Sequence, residues 1–431
     1  MTAPSKAVIL AVGSEMLSPS RQDTNSLYIT DVLNQLGIDV AYKSVVADNL
    51  AELQAQIAHA LSRHRVLILT GGLGPTDDDL SREAVAEQLG LPLREDAGLV
   101  EVIRARFATR GIPMPEVNRR QAQVPEGATV LHNPRGSAPG LLIDREGAVI
   151  ALLPGPPREM QPMMNGPVRD RLAAFAGGVR LMRRILRVAG RSESRVEELT
   201  QPAYSAWLRQ APRIETTILA TPGFIELHLS TQVTREEEGA AALAAAVGQI
   251  EGRLGPDVVS VDGRTVEHVV GDMLRARGWR MALAESCTGG LATSRLTDVP
   301  GSSDYIDRGF VVYSNRAKTE LLGVPDALIA EHGAVSEPVA RAMADGALAR
   351  ATADVAVAIT GIAGPGGGTE AKPVGTVWMA VALASPRETR TLQCRFLGSR
   401  ELIKTFAAVT ALDLVRRRLL EAAWDIDWAR R

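Results

Sequence analysis

Repeatedly along this chain a short apolar run stops at a cluster of glycines and small polar residues, and a helical pattern starts just beyond it. Lys6–Val12 runs into Gly13-Ser14-Glu15, and Val66–Thr70 into Gly71-Gly72-Leu73-Gly74-Pro75. Residues 279–284 run into Glu285-Ser286-Cys287-Thr288-Gly289-Gly290, and 354–359 into Thr360-Gly361-Ile362-Ala363-Gly364. Apolar runs of this length read as buried strands. Alternating with helices, they call for mostly parallel sheets covered by helices on both faces. Ligands gather beyond the carboxyl ends of such strands, where these polar clusters fall.

The alternation divides into three expected domains. Residues 1–170 carry the first βαβαβ pattern, and 264–425 a second α/β pattern closed by a long amphipathic helix over 400–424. Between them, 175–255 read as a small α+β module of order βαββα, followed by a linker at 256–263. The first strand of this module bears Arg180, Arg183, Arg184 and Arg187. An arginine-rich outer face is most simply a solvated edge that resists aggregation. Its Gly-x-x-Gly match, Gly252-Arg253-Leu254-Gly255, falls at the end of the last helical pattern and not in a loop between helices of the kind that clamps a nucleic-acid backbone.

Length and charge narrow the function classes. A chain of 431 residues can bury substantial cores in two or three domains. Its 48 Lys and Arg against 50 Asp and Glu give a net charge of −2, so no global basic field invites nucleic acid. Aromatic residues make up 4%, which leaves few platforms for stacking bases. The two cysteines, Cys287 and Cys394, give neither a disulfide framework nor zinc spacing. With no apolar run long enough for a membrane span, the expected setting is the cytoplasm.

The turn at 285–290 offers a hydroxyl and a thiol at a helix start, where backbone N–H groups lack intrahelical partners. One reading is a nucleophile beside an oxyanion site, with Thr288, Gly289 and Gly290 around it. The other is a helix cap with a small buried cysteine. No histidine lies in this loop or in those carrying Tyr313, Lys318 and Thr360, so the remaining way to activate Ser286 is a Ser–Lys pair. An unperturbed lysine is only about 0.04% neutral at pH 7, a handicap of about 4.6 kcal/mol for a base. Burial or a neighbouring cation must therefore lower the pKa of Lys318. Cys287 is the rival nucleophile, since a thiolate is intrinsically stronger.

The loop Gly71 to Asp79 also has two readings. Its amides can hold phosphate, with Gly71, Gly72 and Gly74 as the cradle and Asp77, Asp78 and Asp79 holding a divalent cation. Alternatively, Pro75 and the aspartates are ordinary helix-start chemistry.

Residues 1–170 resemble the MoaB/MogA-like molybdopterin-binding fold at the front of CinA-type proteins. The resemblance rests on Gly13-Ser14-Glu15-Met16-Leu17, Asp23-Thr24-Asn25, Gly71 to Asp79, and Leu153-Pro154-Gly155-Pro156-Pro157. It implies roles for Asn25, Asp48 and Asp79 and an ADP-ribose pyrophosphatase needing a divalent metal (Mg2+ or similar), with K+ as an option. Residues 175–255 resemble the KH-type module of longer CinA proteins.

Residues 264–425 resemble the CinA C-terminal nicotinamide-mononucleotide (NMN) deamidase domain. Ala284 to Gly290, Val312-Tyr313-Ser314-Asn315 with Lys318, His332 to Ser336, Gly361 to Pro365, and Lys372 to Val377 carry this likeness. It implies Ser286 as nucleophile, Lys318 as base, and Tyr313, Thr360 and Arg400 as substrate contacts, with no cofactor for deamidation. Arg400 follows Gly398-Ser399, where the family pattern is Gly-Asp-Arg. After Met16-Leu17 the chain reads Ser18-Pro19-Ser20-Arg21, where many relatives carry a Gly-Gln stretch. The expected partners are NMN and ADP-ribose and a second copy of the chain, with contact to recombination proteins on resemblance alone. The alternative is a molybdopterin-binding or competence-associated adaptor without catalysis.

Overall fold

The computed structural model describes residues 6–176 and 178–429. The chain folds as two compact units. One runs up to Met182 and adds Gln232–Gly239, and the other comprises Arg183–Thr231 and the chain from Ala240 onward.

In the first unit the sheet order is Asp39–Val46, Lys6–Val12, Val66–Thr70, Ala148–Leu153, Gly140–Arg145, Thr129–Leu131. The first four strands are parallel and the last two antiparallel. Successive residues of one strand feed opposite cores, as strand geometry requires. Ala7, Ile9, Val66 and Ile68 pack with Ile29 and Leu33 of helix Asn25–Gln35 and with Met160 and Met163. Val8, Leu10, Leu67 and Leu69 pack with Leu53 and Ile57 of helix Leu50–Arg63 and with Ala84 and Val85 of Ser81–Leu89. Because Lys6–Val12, Val66–Thr70 and Ala148–Leu153 are adjacent and parallel, the loops at Gly13, Gly71 and Pro154 emerge at one end of the sheet.

The second unit holds one sheet whole and most of another. One has the order Ile214–Thr221, Phe224–Val233, Arg180–Val188, Val258–Ser260. The segment 256–263 is thus no plain linker, since Val258 and Ser260 pair with Val188 and Arg187. The physical reason is burial: Val259, Ala189 and Phe224 belong to the same core as Val266, Met281 and Leu412. Below that core Asp257 receives Arg417 Nη2 at 2.8 Å, and both Arg417 and Asp413 are fully buried. Of the strand arginines, Arg180, Arg183 and Arg184 are exposed, whereas Arg187 pairs with Glu226 at 3.0 Å.

The other sheet runs Ile306–Val311, Met281–Glu285, Val355–Gly361, Thr376–Leu383, Glu388–Arg395. The first three strands are parallel and the rest antiparallel. One face presents Ala282, Ala284, Ala356, Ala358, Ala380 and Ala382 to helix Glu337–Ala349, itself lined with Ala340, Ala344 and Ala347. The same helix also packs closely on helix Asn315–Leu322, where a Cβ on Gly346 would lie 2.1 Å from the Leu322 carbonyl oxygen. The final helix covers the opposite face but spans Arg400–Leu419 instead of reaching residue 424. Glu421 is left-handed (φ 55°), and the tail turns back to bridge Ala429 to Cys394 and to place Asp427 on Arg191.

Candidate active site

Met281–Glu285 is buried throughout and ends in a turn whose geometry depends on Gly289 and Gly290, at φ +64° and +93°. Gly290 is the N-cap of helix Leu291–Thr297. A left-handed cap favours glycine because it carries no Cβ to clash. The Glu285 side chain closes the same turn from inside. Its carboxylate accepts the N–H of Ala292 (3.1 Å) and of Thr293 (2.8 Å), and the Thr293 hydroxyl (2.7 Å). Glu285 is completely buried, so its charge is answered by these helix-start donors. This brace is invisible in the sequence, because the partners lie seven and eight residues away across a turn.

Ser286 is pinned by its amide to the Ile359 carbonyl at 2.9 Å on the neighbouring parallel strand. Lys318 comes from helix Asn315–Leu322, whose N-cap Ser314 accepts the Ala317 amide. That helix points the Lys318 side chain inward, leaving 1% of it exposed. Lys318 Nζ lies 3.1 Å from Ser286 Oγ, 2.9 Å from the Val312 carbonyl and 3.4 Å from that of Tyr313. Burial holds the amine below the ordinary lysine range. A neutral amine that donates its two hydrogens to those carbonyls has one lone pair left to accept the Ser286 proton.

Cys287 belongs to the hydrophobic core. Its sulfur packs in the core with Ile359, Val377 and Ile403 and would meet a Cβ on Gly361 at 3.1 Å. Burial pushes its thiol up to about 12, so the nucleophilic thiolate is suppressed.

The other predicted residues of this half sit around the pair. Arg400, the first residue of its helix, donates Nη1 to the Gly364 carbonyl (2.7 Å) and Nη2 to the Tyr313 hydroxyl (3.2 Å). Residues 87 apart thus converge, and Tyr313 is 63% exposed. Thr360 donates its hydroxyl to the Ala334 carbonyl at 2.8 Å, which ties down the His332–Ser336 loop. Lys372, which sequence reasoning saw only as part of a motif, anchors the same loop through the His332 carbonyl at 2.7 Å. Thr288 is fully buried and its hydroxyl has no protein partner. The Gly289 amide is spent on the Ser286 carbonyl at 3.1 Å, so Gly289 drops out as an oxyanion donor.

The first unit holds a cleft of about 640 Å3 at the convergent loop ends. Asn25, Asp48, Gly71, Gly72, Gly74, Asp78 and Asp79 line it. Much of the loop chemistry there is internal. Asp79 accepts the amides of Gly74 (2.7 Å) and Thr76 (2.9 Å) and the Thr76 hydroxyl. Buried Arg82 locks the loop from beneath through the carbonyls of Leu73 (2.7 Å) and Gly74 (2.9 Å). A Cβ on Gly71 would sit 2.1 Å from the Val12 carbonyl, and one on Gly72 2.4 Å from Ser81 Oγ, so packing alone requires both glycines. Asp48 Oδ2 accepts the Ser14 amide at 2.7 Å. Asn25 donates to Thr70 Oγ1 and to the Gly155 carbonyl, leaving its buried Oδ1 without a partner.

The three-aspartate metal set does not assemble. Asp77 is fully exposed beside Arg120, and Asp79 is already committed to its own loop. Among the described residues no group of three or more His, Cys, Asp or Glu is placed to hold a metal ion. The donor set therefore does not fit a divalent site built from protein groups alone. Among the described residues, too, no helix is long and apolar enough to cross a membrane.

Known proteins match both halves. Residues 263–419 match the family described as "CinA C-terminal domain", and 8–174 that described as "Probable molybdopterin binding domain". A CinA-like protein of Solibacter usitatus is 45% identical over 413 residues, covering 96% of this chain and 98% of its own. Another from Koribacter versatilis is 44% identical over 418 residues, covering 96% and 100%. The crystal structure of the competence/damage inducible protein CihA from Agrobacterium tumefaciens is similar to 36% of this chain and 93% of its own, at 40% identity and a TM-score of 0.35. With sequence likeness running almost end to end in its relatives, this chain belongs to the CinA family, and it joins a molybdopterin-binding-like N-terminal domain to a CinA C-terminal domain.

Proposed function

We propose that the protein hydrolyses the carboxamide of nicotinamide mononucleotide, giving nicotinate mononucleotide and ammonia. The observation that carries this reading is the 3.1 Å approach of a buried, pKa-lowered Lys318 amine to Ser286 Oγ. Ser286 Oγ bonds to the carboxamide carbon as Lys318 takes its proton. The oxyanion is met by the amides left in the turn at Thr288 and Gly290. Collapse of the tetrahedral adduct breaks the C–N bond, and Lys318 returns the proton to the departing ammonia. Water, deprotonated by Lys318, then attacks the ester, and Ser286 recovers its proton as the C–O bond breaks. The pyridinium charge makes the carbonyl more electrophilic and disfavours a protonated Lys318 beside it. Arg400, which has donors beyond the two already used, pairs with the 5′-phosphate.

Ammonia release and NMR of the pyridine product test this reading. Wild type yields both ammonia and nicotinate mononucleotide, and a protein that yields neither leaves the adaptor reading. For the N-terminal cleft we propose the hydrolysis of ADP-ribose to AMP and ribose 5-phosphate. AMP release measured with and without chelator decides it. Homodimerisation belongs to the same proposal and is read by light scattering.

A further inference from the structure

Beside the N-terminal cleft lies a smaller cavity of about 170 Å3, walled by Arg106, Arg110, Arg135 and Arg158 with Ser137 and Glu159. We propose that this cavity is a phosphate-binding subsite continuous with the cleft, so that the ligand of this unit carries a phosphate group beyond the glycine loop.

Three observations carry the inference. The first is charge. Four guanidinium groups surround a small volume that contains a single carboxylate, Glu159. That carboxylate is already engaged: its Oε2 accepts Asn133 Nδ2 at 2.9 Å, and its Oε1 forms a loose ion pair with Arg158 Nε at 3.9 Å, leaving a net excess of positive charge. Arg106 Nη1 donates to the Pro134 carbonyl at 2.9 Å and Arg135 Nη1 to that of Arg158 at 3.0 Å. These contacts with neutral carbonyls fix the side chains without cancelling their charge. Clustered cations that repel one another in a concave site are what an incoming dianion relieves, and the guanidinium fork matches phosphate oxygens.

The second is continuity. Ser137 and Glu159 line both this cavity and the 640 Å3 cleft, so one molecule can reach from one to the other. The third is rigidity. Asn133 Oδ1 accepts the amides of Arg135 (3.0 Å) and Gly136 (2.8 Å). A Cβ on Gly136 would fall 1.7 Å from Glu159 Oε2, so the loop is pressed onto the cavity floor. Arginines on a backbone so fixed lose less freedom when they bind.

The inference extends the reading of the cleft as a phosphate-ester pocket, and its test is binding, not turnover. Inorganic phosphate and pyrophosphate are titrated calorimetrically into full-length protein carrying Arg400→Ala, which removes the phosphate-recognising arginine of the other unit. Pyrophosphate is expected to bind, with affinity falling as salt rises. Adding Arg110→Glu and Arg135→Glu should weaken binding at least about tenfold, and Arg110→Ala alone by less. Thermal melts of the variants confirm that these exposed substitutions leave the fold intact. Undiminished pyrophosphate binding in the doubly reversed variant, or none in its Arg400→Ala parent, overturns the subsite. Loss of binding on charge reversal in a protein that fails to hydrolyse ADP-ribose overturns the activity assigned to the cleft and keeps the subsite.

Discussion

The turns at Gly71–Asp79 and Glu285–Gly290 are written in much the same residues: glycines, small hydroxyls and acids behind a buried parallel strand. In the first, the polar groups answer one another. Asp79 satisfies Gly74 and Thr76, Arg82 satisfies Leu73 and Gly74, and the glycines are required by packing. In the second, one acid, Glu285, does the bracing from inside, and a hydroxyl is left against an amine that burial discourages from carrying charge. The self-satisfied loop borders the 640 Å3 cleft, and the buried Ser286–Lys318 pair carries the better-defined chemistry. Cleft volume and reactive chemistry are separate properties, and here they lie in different units.

Breaking the second turn should give the largest effects. Ser286→Ala is expected to reduce ammonia release at least about 10³-fold, because the oxyanion donors alone cannot replace the nucleophile. If Cys287→Ala has the larger effect and Ser286→Ala is mild, the Ser–Lys assignment is wrong. Lys318→Met should be comparably inactive yet more stable by about 1 kcal/mol, since a buried amine gives way to an apolar side chain of similar shape. A chemical melt shows the gain, and a destabilised variant would mean that Lys318 serves the fold.

The pH dependence follows from the same group. The folded-state pKa of Lys318 lies below the ordinary 10.5, so the unfolded chain binds the extra proton first as pH falls from alkaline. Its burial cost is fully present below the folded pKa and is relieved as pH rises toward 10.5, so stability from this group increases with pH across that window. Turnover should rise with pH along a limb whose midpoint lies below the usual lysine value. A limb at or above that value in wild type contradicts the lowered amine.

Smaller effects sharpen the contrast between the turns. Glu285→Gln keeps one carbonyl acceptor but loses the charge that three donors answer, so kcat is expected to fall about tenfold with KM little changed. Equal losses in a Thr293→Val control would reduce the carboxylate to a generic helix brace. Asp79→Asn sets an N–H against a backbone N–H and should cost about 1–2 kcal/mol of stability in its unit, with deamidation intact. Asp79→Ala is further expected to abolish AMP release from ADP-ribose, and activity surviving it would leave Asp79 a purely structural role.

Periodicity and glycine placement were enough to anticipate parallel sheets with polar loops at their carboxyl ends, because buried strands need continuous apolar residues and sharp exits need residues without a Cβ. The same local chemistry made Ser286, Tyr313, Lys318 and Thr360 legible as candidates, while Arg400 entered only through the family resemblance. Their distances were not legible, since contacts such as Lys318–Ser286 and Arg400–Tyr313 join residues 32 and 87 positions apart. Nor could the sequence tell that Asp79 would turn back on its own loop, that Cys287 would point into the core, or that Val258–Ser260 would pair as a strand. Amino-acid order determines which groups can be polar, buried or sharply bent. Only the packing of strands and helices from distant parts of the chain decides which of those groups are satisfied and which remain free to react.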